Sequence, residues 1–98
     1  MARKKILVAD DSKTVLMIDE LIVRRLSYDI VTALDGREAL AKAIEEKPDL
    51  ILMDVVMPNL NGFEAVKQLR ANEETKKIPI IIGDMPSQKI WSIGSICR

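Results

Sequence analysis

The chain has 98 residues, of which 48% are hydrophobic, so it is long enough for one domain with a packed core but not for two. Its 15 basic and 15 acidic residues give a formal net charge of zero, which argues against a dedicated nucleic-acid or membrane-surface binder. Histidine is missing and cysteine occurs once, which excludes histidine catalysis, histidine metal ligation and an internal disulfide.

Short apolar runs alternate with stretches of helical periodicity along the first 82 residues. The apolar runs are typical of buried strands, and the other stretches repeat apolar residues at helical intervals. The predicted order is a strand over 5–9, a helix over 13–26, a strand over 28–33, a helix over 37–46, a strand over 50–53, a helix after residue 62 and a strand over 78–82. This alternation predicts a parallel sheet with helices on both faces.

Local signals refine the helices. Ser12 is a plausible N-cap for the first helix, and Pro48 should end the second, because the residue before a proline is disfavoured in the α region. The predicted apolar stripe of the first helix consists of Val15, Ile18, Ile22 and Leu26, with Leu21 beside them.

Aspartates follow two of the predicted strands. Asp10 and Asp11 end the first strand, and Asp54 ends the third. Sites in such folds form beyond the carboxyl ends of the strands, so neighbouring strands would bring three carboxylates together. Like charges converge at a high cost unless a cation joins them, and oxygen ligands alone favour a hard ion such as Mg²⁺. Taken singly, Asp10 or Asp11 is better explained as a helix cap or turn residue.

Two segments carry a resemblance to a known family. "ILVADDS" near the start and "LILMDVVMPNLNG" in the middle resemble the receiver domain of two-component response regulators. The similarity runs from about residue 4 to residue 82. It implies a flavodoxin-like doubly wound parallel sheet with helices on both faces, in a cytoplasmic signalling phosphoacceptor that is not an enzyme in its own right.

The resemblance assigns roles to individual residues. Asp54 matches the phosphoacceptor, which takes a phosphoryl group from a phosphohistidine on a sensor histidine kinase or phosphotransfer protein. Asp11 matches a direct Mg²⁺ ligand, Asp10 a ligand acting mainly through water, and the backbone carbonyl of Val56 the third protein ligand. Pro58 and Gly62 would shape the adjacent loop. The implied partners are that phosphodonor and a downstream protein target, with no direct contact to nucleic acid or membrane.

The resemblance stops in the tail, residues 83–98. The family's phosphoryl-binding Thr or Ser aligns with Asp84, which adds negative charge, and Lys89 comes too early to match the family's lysine. We therefore expect 1–98 to be a single incomplete receiver domain that lacks the last helix-strand-helix portion. Slow phosphorylation would follow, as would homo-oligomer formation through the exposed fourth-strand edge or the tail, which carries Ile90 and Trp91.

Other motif interpretations fit less well. An EF-hand loop counted back from Gly62 would begin at Met57 rather than at an acid, and the four glycines are too scattered for a nucleotide phosphate loop. A flavin-binding relative is possible by architecture alone. Two function classes remain open: a phosphoacceptor switched at Asp54, and a non-switching pseudo-receiver that only binds protein partners.

Overall fold

The computed structural model describes residues 4–54 and 61–82, in which strands and helices alternate. The elements are β1 (Lys5–Ala9), α1 (Lys13–Arg25), β2 (Asp29–Ala33), α2 (Gly36–Glu46), β3 (Leu50–Met53), α3 (Gly62–Ala71) and β4 (Ile80–Ile82). The predicted order is confirmed, and the predicted strand bounds differ from these by at most two residues. Within the described ranges no helix has the length and apolar character needed to cross a membrane.

The four strands form one parallel sheet with the order β2-β1-β3-β4. From β1 the chain moves outward to β2 and then returns past β1 to reach β3. The direction of winding therefore reverses between β1 and β3. In open parallel sheets this reversal leaves a crevice beyond the carboxyl ends of the two strands, which is where ligands bind.

Apolar side chains cover both faces of the two central strands. One face packs β1 and β3 against α2 and α3, through Leu7, Ala9, Ile51, Met53, Ala39, Ala43, Ala65 and Leu69. The opposite face packs the same strands against α1, through Ile6, Val8, Leu50, Leu52, Leu16 and Val23. Alternate residues of one strand point to opposite faces, so two layers of helices bury every residue of β3. The predicted architecture, with helices on both faces, is confirmed.

The stripe predicted for α1 is wrong. The buried residues of this helix are Leu16, Asp19 and Val23, whereas Ile18 is 43% exposed and Leu21 is 67% exposed. The apolar residues of α1 are distributed around most of its circumference, so helical periodicity alone does not select the face that packs on the sheet. In the structure Leu16 and Val23 are the apolar residues that face the sheet.

Each helix begins with a polar cap. The side chains of Ser12, Asp35 and Asn61 each accept a hydrogen bond from the backbone N–H three residues later, at 3.4, 2.8 and 2.9 Å. Helix α2 ends at Glu46, and Lys47 adopts the left-handed conformation (φ 47°) directly before Pro48. The prediction that this proline ends the helix is confirmed.

The start of β1 is tied to neighbouring elements. The Lys5 backbone N–H donates to Asp49 Oδ2 (2.8 Å), and Lys5 Nζ donates to Glu46 Oε1 (2.9 Å). The hydrogen bond and the positive charge of Lys5 lower the pKa of the Glu46 carboxyl below its ordinary value. The pair therefore contributes stability above that ordinary pKa and loses it as pH falls through the lowered value.

Thr75 and Arg70 hold the connection that leads from α3 to β4. The Thr75 side chain is fully buried, and its hydroxyl donates to the carbonyl oxygen of Leu69 at 2.6 Å. Arg70 Nη1 donates to the carbonyl oxygens of Lys76 (2.7 Å) and Ile78 (2.8 Å). These contacts fix the connection and thereby place β4 beside β3.

We expect Thr75→Val to lower the free energy of unfolding by about 1–2 kcal/mol, because it keeps the side-chain volume but removes a buried hydrogen bond. The Leu69 carbonyl still accepts from the Asn72 N–H at 3.3 Å, so the loss stays at the lower end for a buried group. Urea unfolding measures the change. Thr14→Val is the matched control, since Thr14 is exposed on α1. Equal unfolding midpoints for the two variants would contradict the role of this hydroxyl.

Candidate metal centre at the carboxyl edge of the sheet

Sheet hydrogen bonds place Asp10 and Asp54 at the same edge. Ala9 and Met53 are register partners at the ends of β1 and β3, and the two aspartates follow them directly. The Asp10 N–H donates to the Ala33 carbonyl at 3.0 Å, and the Asp54 N–H donates to the Ala9 carbonyl at 3.0 Å. The backbones of both acids are thus held by continued strand pairing rather than by a loose loop.

The turn between β1 and α1 contains Asp10 and Asp11. Asp10 is 5% exposed, and its Oδ1 accepts a hydrogen bond from the Ser12 N–H at 3.0 Å. Ser12 in turn caps α1. Asp11 lies between these two residues and is exposed. Asp10 is therefore a turn residue, as its local sequence suggests, and at the same time a member of an acidic cluster.

The carboxylates of Asp10, Asp11 and Asp54 converge. One carboxylate oxygen from each lies within 4.8 Å of the others, with Asp10 buried, Asp54 half-buried and Asp11 exposed. Two unit charges at this separation repel by roughly 3 kcal/mol at an effective dielectric constant of about 20. A cation would relieve this repulsion. Carboxylate oxygens are the donors that hard divalent ions prefer, so the donor set fits Mg²⁺.

The structure brings together the three predicted carboxylates because β1 and β3 are neighbours. Gly62 is the buried first residue of α3. Val56 and Pro58 lie outside the described residues, as do Asp84, Lys89 and the rest of the tail. Roles assigned to those positions remain predictions.

Two helix caps are not among the sequence predictions. Asp35 caps α2, and Asn61 caps α3. Each is followed three residues later by a glutamate, Glu38 or Glu64, which is the spacing of a capping box. That spacing could have identified both caps, and with them the starts of α2 and α3.

Comparisons with known proteins agree with this geometry. The pattern of the response regulator receiver domain matches residues 6–89. The alkaline phosphatase synthesis transcriptional regulatory protein PhoP of Bacillus subtilis is 47% identical over 79 residues, which cover 81% of this chain and 32% of PhoP. Protein PilH of Pseudomonas aeruginosa is 40% identical over 90 residues, which cover 89% of this chain and 74% of PilH.

A solved receiver domain shares the fold. The receiver domain of the sensor histidine kinase PA1611 from Pseudomonas aeruginosa, with a magnesium ion coordinated in its active-site cleft, superposes with a TM-score of 0.79. It is 33% identical, and the alignment covers 83% of this chain and 66% of that domain. Since the family pattern spans most of the sequence, the chain belongs to the response regulator receiver domain family of two-component signalling.

Proposed function

We propose that the chain is a phosphoacceptor module of a two-component phosphorelay and that Asp54 accepts the phosphoryl group. The observation that supports this is the convergence of Asp54 with Asp10 and Asp11 at the crevice between β1 and β3. A role as cap or turn residue explains Asp10 alone but not three carboxylates within 4.8 Å. The donor would be a phosphohistidine on a sensor histidine kinase or phosphotransfer protein.

The proposed chemistry is a direct transfer between donor and carboxylate. A carboxylate oxygen of Asp54 attacks the phosphorus atom, so an O–P bond forms while the P–N bond to the imidazole breaks. The electron pair of the P–N bond returns to the imidazole nitrogen, which leaves neutral because the other ring nitrogen carries a proton. Asp54 is half-buried, and the hydrogen bond from its N–H to the Ala9 carbonyl fixes its backbone position.

Mg²⁺ is the proposed cofactor of this transfer. Asp10, Asp11 and Asp54 would hold the ion, with the backbone carbonyl of Val56 as a further ligand. A bound divalent ion neutralises charge on the attacking carboxylate and on the phosphoryl group. Asp10 and Asp11 in that way compensate for the unfavourable approach of one anion to another.

The proposed signalling role needs protein partners on two sides. A histidine-containing phosphodonor delivers the phosphoryl group, and a downstream protein target responds to the modified chain, with both steps in the cytoplasm. The chain acts as a signalling phosphoacceptor whose proposed chemistry is limited to its own phosphorylation. The aligned region covers only 32% of PhoP, so the rest of that protein gives no guide to this target.

Incubation with Mg²⁺ and acetyl phosphate tests the proposal. We expect intact-protein mass spectrometry to show one added phosphoryl group, and EDTA to suppress it. Incorporation should be slow if Asp84 stands where relatives place a hydroxyl. No phosphoryl mass with either acetyl phosphate or a phosphorylated kinase, from protein that still binds Mg²⁺, would instead favour the non-switching pseudo-receiver.

Substitution of Asp11 should affect Mg²⁺ binding most strongly. We expect Asp11→Ala to weaken Mg²⁺ affinity by about tenfold or more, because it removes a proposed direct ligand and one of three negative charges. Asp11 is exposed, so the fold should persist. Isothermal titration measures the affinity, and Glu45→Ala, an exposed acid on α2, is the control. Equal affinities in wild type and Asp11→Ala would refute the site.

We also propose self-association through the β4 edge or the tail. Within the described residues β4 pairs only with β3, and its three isoleucines are half-buried. An apolar edge strand favours pairing with another chain. Sedimentation over a concentration series should show a rising mass, and the double variant Ile90→Ser, Trp91→Ser should reduce it if the tail takes part. A constant mass of 11.0 kDa would contradict this.

A further inference from the structure

Among the residues that the structure describes, helix α1 has an exposed apolar face in addition to the face that it packs on the sheet. Met17 is 65% exposed and Leu21 is 67% exposed, although the same helix already buries Leu16 and Val23 against the sheet. Residues four positions apart on a helix are neighbours, so Met17 and Leu21 form one continuous ridge. Ile18, 43% exposed, widens it. We call these three residues the α1 ridge.

Opposite charges flank the α1 ridge. Glu20 and Arg24 lie beside it, and Arg24 Nη2 is 3.0 Å from Glu20 Oε1. Together with Met17 and Leu21 they line a shallow groove on the surface of the helix. The negative group precedes the positive group by four residues, so the charge pattern reverses when the direction of the helix is reversed.

This reversal makes the face complementary to itself. A two-fold axis that passes near Leu21 would place a second α1 antiparallel to the first. Glu20 of each copy would then face Arg24 of the other, and the two Leu21 side chains would meet between these ion pairs. Such an isologous contact needs no second surface, because one patch serves both copies. The formal net charge of zero means that two copies meet without overall repulsion.

We propose that the α1 ridge, with Glu20 and Arg24, is the interface for a second copy of this chain in an antiparallel two-fold pair. The apolar centre and the ion pairs at its rim correspond to the usual anatomy of a protein interface. The proposal is independent of Asp54, and it uses a helix different from the β4 edge. The α1 contact would form even if Asp54 accepted no phosphoryl group or the β4 edge paired with no other chain.

Charge reversal with complementation gives the sharpest test. Glu20→Arg and Arg24→Glu each replace two attractive contacts across the axis with two repulsive ones, so we expect each to weaken self-association by about tenfold or more. A one-to-one mixture of the two variants restores opposite charges at both contacts. Native mass spectrometry or sedimentation of the mixture should therefore show mixed dimers. The double variant should dimerise alone, because it restores the pairs with their polarity reversed.

Apolar substitutions test the centre of the interface. Leu21→Ser, next to the axis, should reduce dimerisation strongly, and Met17→Ser, five residues from the axis, should reduce it less; the exposure of both side chains means that the fold should tolerate the changes. Ile44→Ser, at a 37% exposed residue of α2, is the control and should leave dimerisation unchanged. Circular dichroism checks that every variant is folded.

Three results would overturn the proposal: a wild-type chain that is monomeric up to millimolar concentration, single charge variants that dimerise like wild type, or a mixture as dissociated as its separate components. Assembly through the β4 edge or the tail alone would give the second result, because those surfaces do not involve Glu20 or Arg24. A partner other than a second copy would give the first or the third, since only a two-fold contact couples the two substitutions across different chains.

Discussion

Replacing Asp54 with asparagine is expected to abolish phosphoryl incorporation and to leave the fold intact. The amide has the shape of the carboxylate, but its oxygen carries no full negative charge and is a poor nucleophile. Asp54 donates its backbone N–H to the Ala9 carbonyl, and the substitution does not change that bond. Intact-protein mass after incubation with acetyl phosphate and Mg²⁺ measures the effect, and urea unfolding checks the fold.

Asp49→Asn is the matched control for this experiment. Asp49 precedes β3 at its opposite end, five residues before Asp54, or about 16 Å along an extended chain. Its Oδ2 accepts the Lys5 N–H at 2.8 Å, and an asparagine oxygen can accept the same bond. We expect wild-type incorporation in this variant. Continued incorporation in Asp54→Asn would mean that another side chain, with Asp11 the first to test by peptide mapping, is the acceptor.

The sequence predicted the strands well because their burial leaves little ambiguity. Leu50–Met53 is an uninterrupted apolar run, and the structure buries all four residues because helices cover both faces of the sheet. The inward face of a helix is harder to predict from sequence than a buried strand. Helix α1 has enough apolar residues for two faces, and the face that packs inward also includes Asp19, which is 2% exposed. No periodicity rule would place an aspartate in the buried stripe.

The candidate site could be predicted only in part. That Asp10 and Asp54 each end a strand can be read directly from the sequence, but their meeting depends on β1 and β3 being neighbours. Strand order is a property of the whole fold, and no local pattern specifies it; here the family resemblance supplied it. The bond from the Ser12 N–H to Asp10 Oδ1 likewise depends on the turn geometry, which the residue types allow but do not require.

Replacing Ile51 with alanine is expected to destabilise the protein severely. Ile51 is fully buried in β3, with Leu7 and Ile80 as its register partners on the two sides. Removing three carbon atoms from such a position costs about 2–5 kcal/mol, against a total stability of about 5–15 kcal/mol for a typical domain. A chain of 98 residues has few other core residues to compensate. Urea unfolding should show a much lower midpoint and a melting temperature reduced by about 10 °C or more.

The same substitution should also weaken the metal site, because β3 carries Asp54 to the edge where it meets Asp10. Apparent Mg²⁺ affinity should fall in proportion to the folded fraction and recover when an osmolyte restores folding. Ile51→Val should cost only about 0.5–1.5 kcal/mol. Ile44→Ala, on the exposed side of α2, should stay within about 0.5 kcal/mol of wild type. Similar midpoints for Ile51→Ala and Ile44→Ala would mean that β3 is not the central buried strand, and the convergence of the three carboxylates would lose its structural basis.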